Sequence, residues 1–134
     1  LGAQGNEAPI PTKSGTVGQA PAEQGQIIFY RTGSMFGAAL GCTVHEGEGA
    51  ADVELARLGS GKYYVVNAAP GKHQYYTKGE AKDRLNMEIE AGETYFVRCN
   101  IGMGVMSGRA NLSPSDRAAF ASKAKGLALW KGGN

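Results

Sequence analysis

Thr94-Tyr95-Phe96-Val97-Arg98-Cys99-Asn100-Ile101 is the stretch that decides the fold. Successive side chains of a strand alternate between its two faces. Tyr95, Val97, Cys99 and Ile101 make one apolar face, and Thr94, Arg98 and Asn100 take the other, with Phe96 the single exception. The run from Leu40 to Glu46 repeats the pattern, with Leu40, Cys42 and Val44 on one side and Thr43 and His45 on the other. Both sulfurs are therefore expected in one buried layer. That predicts a single all-β domain and favours a Cys42–Cys99 disulfide formed in an oxidising compartment. The alternative is a pair of buried reduced thiols, because free Cys is itself among the most buried residue types.

Working outward, strands are predicted over Gln26 to Arg31, Leu40 to Glu46, Asp52 to Leu58, Lys62 to Asn67, Lys72 to Lys78, Arg84 to Glu90 and Thr94 to Ile101. The cleanest alternation sets Leu85, Met87 and Ile89 inward against Asn86, Glu88 and Glu90. One face of that strand meets water, which argues for antiparallel pairing. Gly59-Ser60-Gly61 predicts a hairpin between the third and fourth strands. At the next corner Pro70 fixes φ and Gly71 takes a positive φ. Turns recur about every 8 to 12 residues, as in a sandwich or barrel.

The ends read differently. Residues 1–25 carry Gly2, Gly5, Gly15, Gly18 and Gly25 with Pro9, Pro11 and Pro21, and no strand or helix period. A disordered, flexible arm is expected. At the other end Ser113 is expected to cap a helix, with Pro114 at its first position and Asp116 near its positive terminus. The helix would run from Arg117 to Lys125 on an apolar side of Ala118, Phe120, Ala121 and Ala124, and stop at Gly126. Leu127, Ala128, Leu129 and Trp130 are then expected to cover the chain's own sandwich, a second subunit being the alternative. The expected layout is an arm over 1–25, an antiparallel β-sandwich of about seven strands over 26–112, and a helix with tail over 113–134.

The chain has 134 residues and a formal net charge of +2. Its charge is dispersed, which argues against nucleic acid; Lys123, Lys125 and Lys131 are the nearest approach to a basic block. No run approaches the roughly 20 apolar residues of a membrane helix. Leu1 at the start suggests that an upstream piece has been removed, as in an exported protein. The arm has no cysteine to take a lipid, so the visible residues give membrane anchorage through a processed N-terminus no support.

Chemistry-bearing residues are few. His45 and His73, with Glu46 and Glu48, bring a zinc site to mind. His45 and Glu46 point to opposite faces of one strand, however, so outward, solvated histidines are expected. Cys42 and His45 likewise face apart, which argues against a nucleophile pair. Ser107, Ser113 and Ser115 lack a nucleophile-elbow context, and the glycine-rich stretches lack a phosphate-loop ending. No catalytic residue, metal or cofactor is expected. The candidate surface is aromatic: Tyr63/Tyr64 and Tyr75/Tyr76 fall on strands flanking Pro70, each pair with one ring on each face. One layer of rings, flanked by Lys62, Lys72 and Lys78, would lie outside the core and stack sugars or hold an extended peptide; Trp130 in the tail is a further candidate contact for a ligand or partner. The alternative is that Tyr is there as a strand former.

Four segments carry a family resemblance: Gly25-Gln26-Ile27-Ile28-Phe29-Tyr30-Arg31, Ala69-Pro70-Gly71-Lys72-His73, Glu90-Ala91-Gly92-Glu93-Thr94-Tyr95-Phe96-Val97-Arg98 and Gly102-Met103-Gly104-Val105. In order and spacing, over about residues 22 to 115, the chain resembles the bacterial domain-of-unknown-function 2846 family. The Pro-Gly-Lys-His turn also resembles PEGA-like and transthyretin-like modules of bacterial surface proteins. The resemblance implies an exported β-sandwich, in some members a lipoprotein, with no established activity and no functional residues to carry over. The expected role is a non-enzymatic binding or scaffolding module of the periplasm or cell envelope, its partner an envelope protein, a peptide or a glycan. The alternatives are a small hydrolase using His73 or His45, and a structural homodimer built through the C-terminal helix.

Overall fold

The computed structural model describes residues 8–33, 41–47, 52–77, 84–102 and 109–132. Leu40, Glu48, Lys78, Ser107, the first residues of the arm and the Met103-Gly104-Val105 part of the last motif lie outside them. In chain order the elements are β1 (Ile10–Pro11), β2 (Thr16–Val17), β3 (Gly25–Arg31), β4 (Cys42–Glu46), β5 (Val53–Leu58), β6 (Lys62–Ala68), β7 (Gly71–Thr77), β8 (Leu85–Ile89), β9 (Thr94–Gly102), β10 (Arg109–Ser115), α1 (Arg117–Lys123), a 3₁₀ turn (Ala124–Gly126) and β11 (Ala128–Leu129). Each predicted strand is present, and the whole is mostly β with one short helix.

Two sheets face each other, in the orders β10-β9-β3-β6-β11 and β5-β4-β7-β8. Between them Ile27, Phe29, Val44, Leu58, Tyr75, Ile89 and Val97 form the main core together with both cysteines. The Cys42–Cys99 disulfide joins β4 to β9 across this core, with Cα atoms 6.6 Å apart. It closes a loop of 57 residues, for which the chain-entropy argument gives roughly 4 kcal/mol. The inward parity of Leu85, Met87 and Ile89 holds, with Ile89 fully buried and the other two packed at the core's margin.

A second core explains the exception at Phe96. The outer face of the five-stranded sheet gives Ile28, Tyr30, Tyr63 and Phe96 to a cluster closed by Ile10, Val17, Phe120, Ala124 and Leu127. Phe120 meets Tyr30 edge-on at 5.0 Å and Tyr63 at 5.8 Å. Every residue of β3 is buried, as a strand covered on both faces must be. Gly25 opens this strand where a Cβ would run into the Ile89 side chain, so only glycine fits.

Four expectations are corrected. The Gly/Pro-rich stretch is no free arm over its described part: β1 pairs antiparallel with β2, and Ile10 and Val17 are 5% and 3% exposed. The Lys13 amide donates to the Leu127 carbonyl at 2.9 Å, and the Leu129 amide donates to Ser14 Oγ at 2.8 Å. Composition hides this because two isolated apolar residues gain a partner only once α1 delivers Phe120. Second, the five-stranded sheet is mixed: β3 runs parallel to β9, and β11 parallel to β6. Third, Gly59-Ser60-Gly61 makes no hairpin, because β5 and β6 belong to different sheets and the turn crosses between them. Fourth, Ser113 and Pro114 are strand residues, opposite Arg98 and Val97. Proline is tolerated there because β10 is an edge and needs no outward N–H. The helix cap is Asp116, whose carboxylate accepts from the Ala119 amide at 2.8 Å.

Candidate functional site

The polar chemistry gathers on the four-stranded sheet, in two clusters set by the pairing of β4, β7 and β8. Glu46 lies opposite Tyr75, His73 opposite Met87, and Gln74 opposite Asn86. This register brings Glu46 beside His73, with Nδ1 2.5 Å from Oε2. The other ring nitrogen, Nε2, lies 2.7 Å from the Ala69 carbonyl. A carboxylate and a carbonyl only accept, so both nitrogens of His73 donate. Burial opposes that charge, but hydrogen bonds to Glu46 and Ala69 outweigh it and raise the His73 pKa above its ordinary value. Burial first, and the Glu46 carboxylate second, also push the Tyr75 hydroxyl well up. Around this pair opens a shallow depression of about 650 Å³, lined by Glu46, Gly47, Lys72, His73, Gln74, Asn86, Met87 and Glu88. The Gln74 amide donates to Asn86 Oδ1 at 2.9 Å within it.

The second cluster centres on His45. Its Nδ1–H donates to Asp52 Oδ2 at 2.9 Å, and its ring stacks on Tyr76 at 5.1 Å. The Tyr76 hydroxyl donates to the other oxygen of Asp52, and the Arg84 guanidinium sits 4.0 Å above the Tyr76 ring. The Tyr76 hydroxyl, then His45 and Arg84, hold the Asp52 carboxyl below its usual range, and Asp52 in turn raises the Tyr76 pKa. His45 is 5% exposed, and its Nε2 is buried without a hydrogen-bond partner. The expectation of a solvated His45 is therefore corrected: the stacked Tyr76 and Asp52 cover it.

The predicted tyrosine surface is dispersed. Tyr63 is buried in the second core and Tyr75 in the main core, while Tyr76 belongs to the His45 cluster. Tyr64 is half-buried against Trp130, ring centroids 5.2 Å apart. Strands β6 and β7 are consecutive in the chain but lie in opposite sheets, so no shared ladder forms. Trp130 instead caps its own sandwich, its amide donating to the Tyr63 carbonyl at 2.8 Å. His45 and Glu46 do face apart, each toward a different partner. Among the described residues no group of three or more His, Cys, Asp or Glu side chains is placed to hold a metal ion. The sequence reading missed Asp52, Gln74, Arg84 and Asn86. Pairing the strands around Cys42 and Val53 as a hairpin would have placed Asp52 beside His45.

Comparison with known proteins adds one finding. A family model described as "Protein of unknown function (DUF2846)" matches residues 21–110. No curated protein and no solved structure matches the chain.

Proposed function

We propose, on the premise that this chain belongs to the DUF2846 family, that it is an exported, non-enzymatic binding module of the cell envelope. The observation that carries the reading is the depression over β7 and β8. Lys72, Gln74, Asn86 and Glu88 ring it with a cation, two amides and a carboxylate. Such convergent donors and acceptors suit the hydroxyls of a glycan or the main chain of an extended peptide. β8 is also a sheet edge, where a peptide can add as a strand. His73 offers no lone pair to act as a general base, since both ring nitrogens are taken up by Glu46 and the Ala69 carbonyl, which supports a binding role. The disulfide is compatible with an oxidising space such as the periplasm.

Titration of isotope-labelled protein with peptidoglycan fragments, oligosaccharides and extended peptides tests this. Amide shifts centred on Lys72, Gln74, Asn86 and Glu88 are expected. Loss of one such hydrogen bond in Asn86→Ala should weaken binding by roughly tenfold. A folded protein with no shift in this region for any of these probes defeats the proposal.

One observation favours a second reading, a hydrolase using His45. Asp52 holds Nδ1–H and leaves the lone pair on the unpartnered Nε2, the tautomer a general base requires, and this buried atom would act only once its cover opens to a substrate. Ester or amide turnover that disappears in His45→Ala and persists in His73→Ala would support it. Absence of turnover over a broad panel removes it.

A further inference from the structure

The two larger sheets leave open edges, among the described strands, at β10, β11, β5 and β8. β11 has only two residues, and β10 carries Pro114, which has no N–H to offer. β8 turns Asn86 and Glu88 outward and presents no cation on that face. β5 differs. It carries Val53, 55% exposed and the one large apolar side chain so exposed among the described residues.

Register gives β5 a second property. Val44 lies opposite Ala56 and His45 opposite Glu54, so Leu55 is an extra residue, a β-bulge. In an unbroken strand residues 54 and 57 would face opposite sides. The bulge shifts the phase, so Glu54, opposite His45, and Arg57, opposite Thr43, share the outer face. Both are exposed, and neither has an ion pair among the described residues. Val53 and Leu58 share the inner face by the same count.

We propose that β5 is a homodimerisation edge, on which a second copy of this chain pairs antiparallel about a twofold axis between Leu55 and Ala56. The axis stands perpendicular to the sheet, so it preserves faces, as an isologous contact requires. Glu54 then lies opposite the partner subunit's Arg57, and the reverse pair forms by symmetry. Val53 lies level with the partner subunit's Leu58, whose side chain stays in its own core, and is covered by the partner's main chain. Main-chain hydrogen bonds join the two four-stranded sheets into one, and the paired charges set the register. A strand of opposite charge order could not satisfy both pairs; the chain's own β5 does.

Sedimentation velocity of the full chain over a range of concentrations tests the proposal. A monomer–dimer equilibrium that weakens with salt is expected. Glu54→Arg and Arg57→Glu should each weaken it by about tenfold or more, because symmetry makes each change count twice and like charges then face each other. An equimolar mixture of the two variants should form a heterodimer, since the charges again oppose. Circular dichroism of each variant checks that it is folded. A wild-type chain that stays monomeric at every concentration overturns the proposal. So does a dimer indifferent to both substitutions, or a mixture of folded variants that fails to associate.

Discussion

His73 fastens two parts of the sheet with one ring: Nδ1 holds Glu46 at the end of β4, and Nε2 holds the Ala69 carbonyl at the turn before β7. Glu46 and the β6–β7 turn are thus joined through a doubly protonated imidazole. The contact borders the depression, so its charge state bears on the shape of that surface.

The stability this contact adds depends on pH in a defined direction. The folded-state pKa of His73 is raised above the ordinary 6.5. Its contribution is fully present below 6.5 and is lost as pH rises through the raised value. The gap in melting temperature between wild type and His73→Gln should therefore be widest on the acid side and close as the medium becomes alkaline. A gap that grows with rising pH, or a His73 titration at or below the ordinary value by NMR, contradicts this.

Loss of the inter-sheet disulfide should lower stability by roughly 2–4 kcal/mol in urea denaturation of Cys42→Ala/Cys99→Ala. Both sulfurs are committed to the bridge, so thiol reagent should find no reactive group in protein purified without reductant, even after unfolding. Two reactive thiols in such a preparation count against the bridge.

Phe120 is the sole fully buried side chain of α1, and it touches Tyr30, Tyr63 and Phe96. Phe120→Ala should cost about 3–5 kcal/mol by the usual cavity reckoning. Ile10→Ala should also destabilise, since it opens the same cluster from the N-terminal side. Equilibrium unfolding of both variants measures this; a neutral Ile10→Ala would mean that the N-terminal hairpin contributes no packing.

The two candidate caps separate cleanly by substitution. Asp116→Ala should cost about 1 kcal/mol and speed exchange of the Ala119 amide, which it alone accepts from in the first turn. Ser113→Ala removes a hydroxyl that accepts from Asn100 Nδ2 at 2.9 Å, so its effect should fall on the β9–β10 edge. Equal effects of both on Ala119 exchange would refute the assignment of the cap.

Alternation of side chains was legible along the chain without any coordinates. It placed each expected strand, the inward row of Leu85, Met87 and Ile89, and both cysteines on the core side, because faces follow from a local period of two. The positive φ at Gly71 was likewise a local matter. Partnership was not legible. Nothing in the period says that β6 and β7 lie in opposite sheets, and so the tyrosines that look adjacent at Pro70 part company. The Ser113-Pro114 signal misled for a related reason: an edge strand relaxes the demand for N–H groups that normally excludes proline.

Sequence by itself determined which side each residue of a strand faces, because backbone geometry fixes that within a few residues. Only the tertiary structure decided which strands became neighbours, and hence that His73 meets Glu46, that His45 meets Asp52, and that Ile10 and Phe120 close a second core. Those contacts depend on bringing distant segments together, where chain-closure entropy is set against burial over the whole molecule, and no local window of sequence contains that balance.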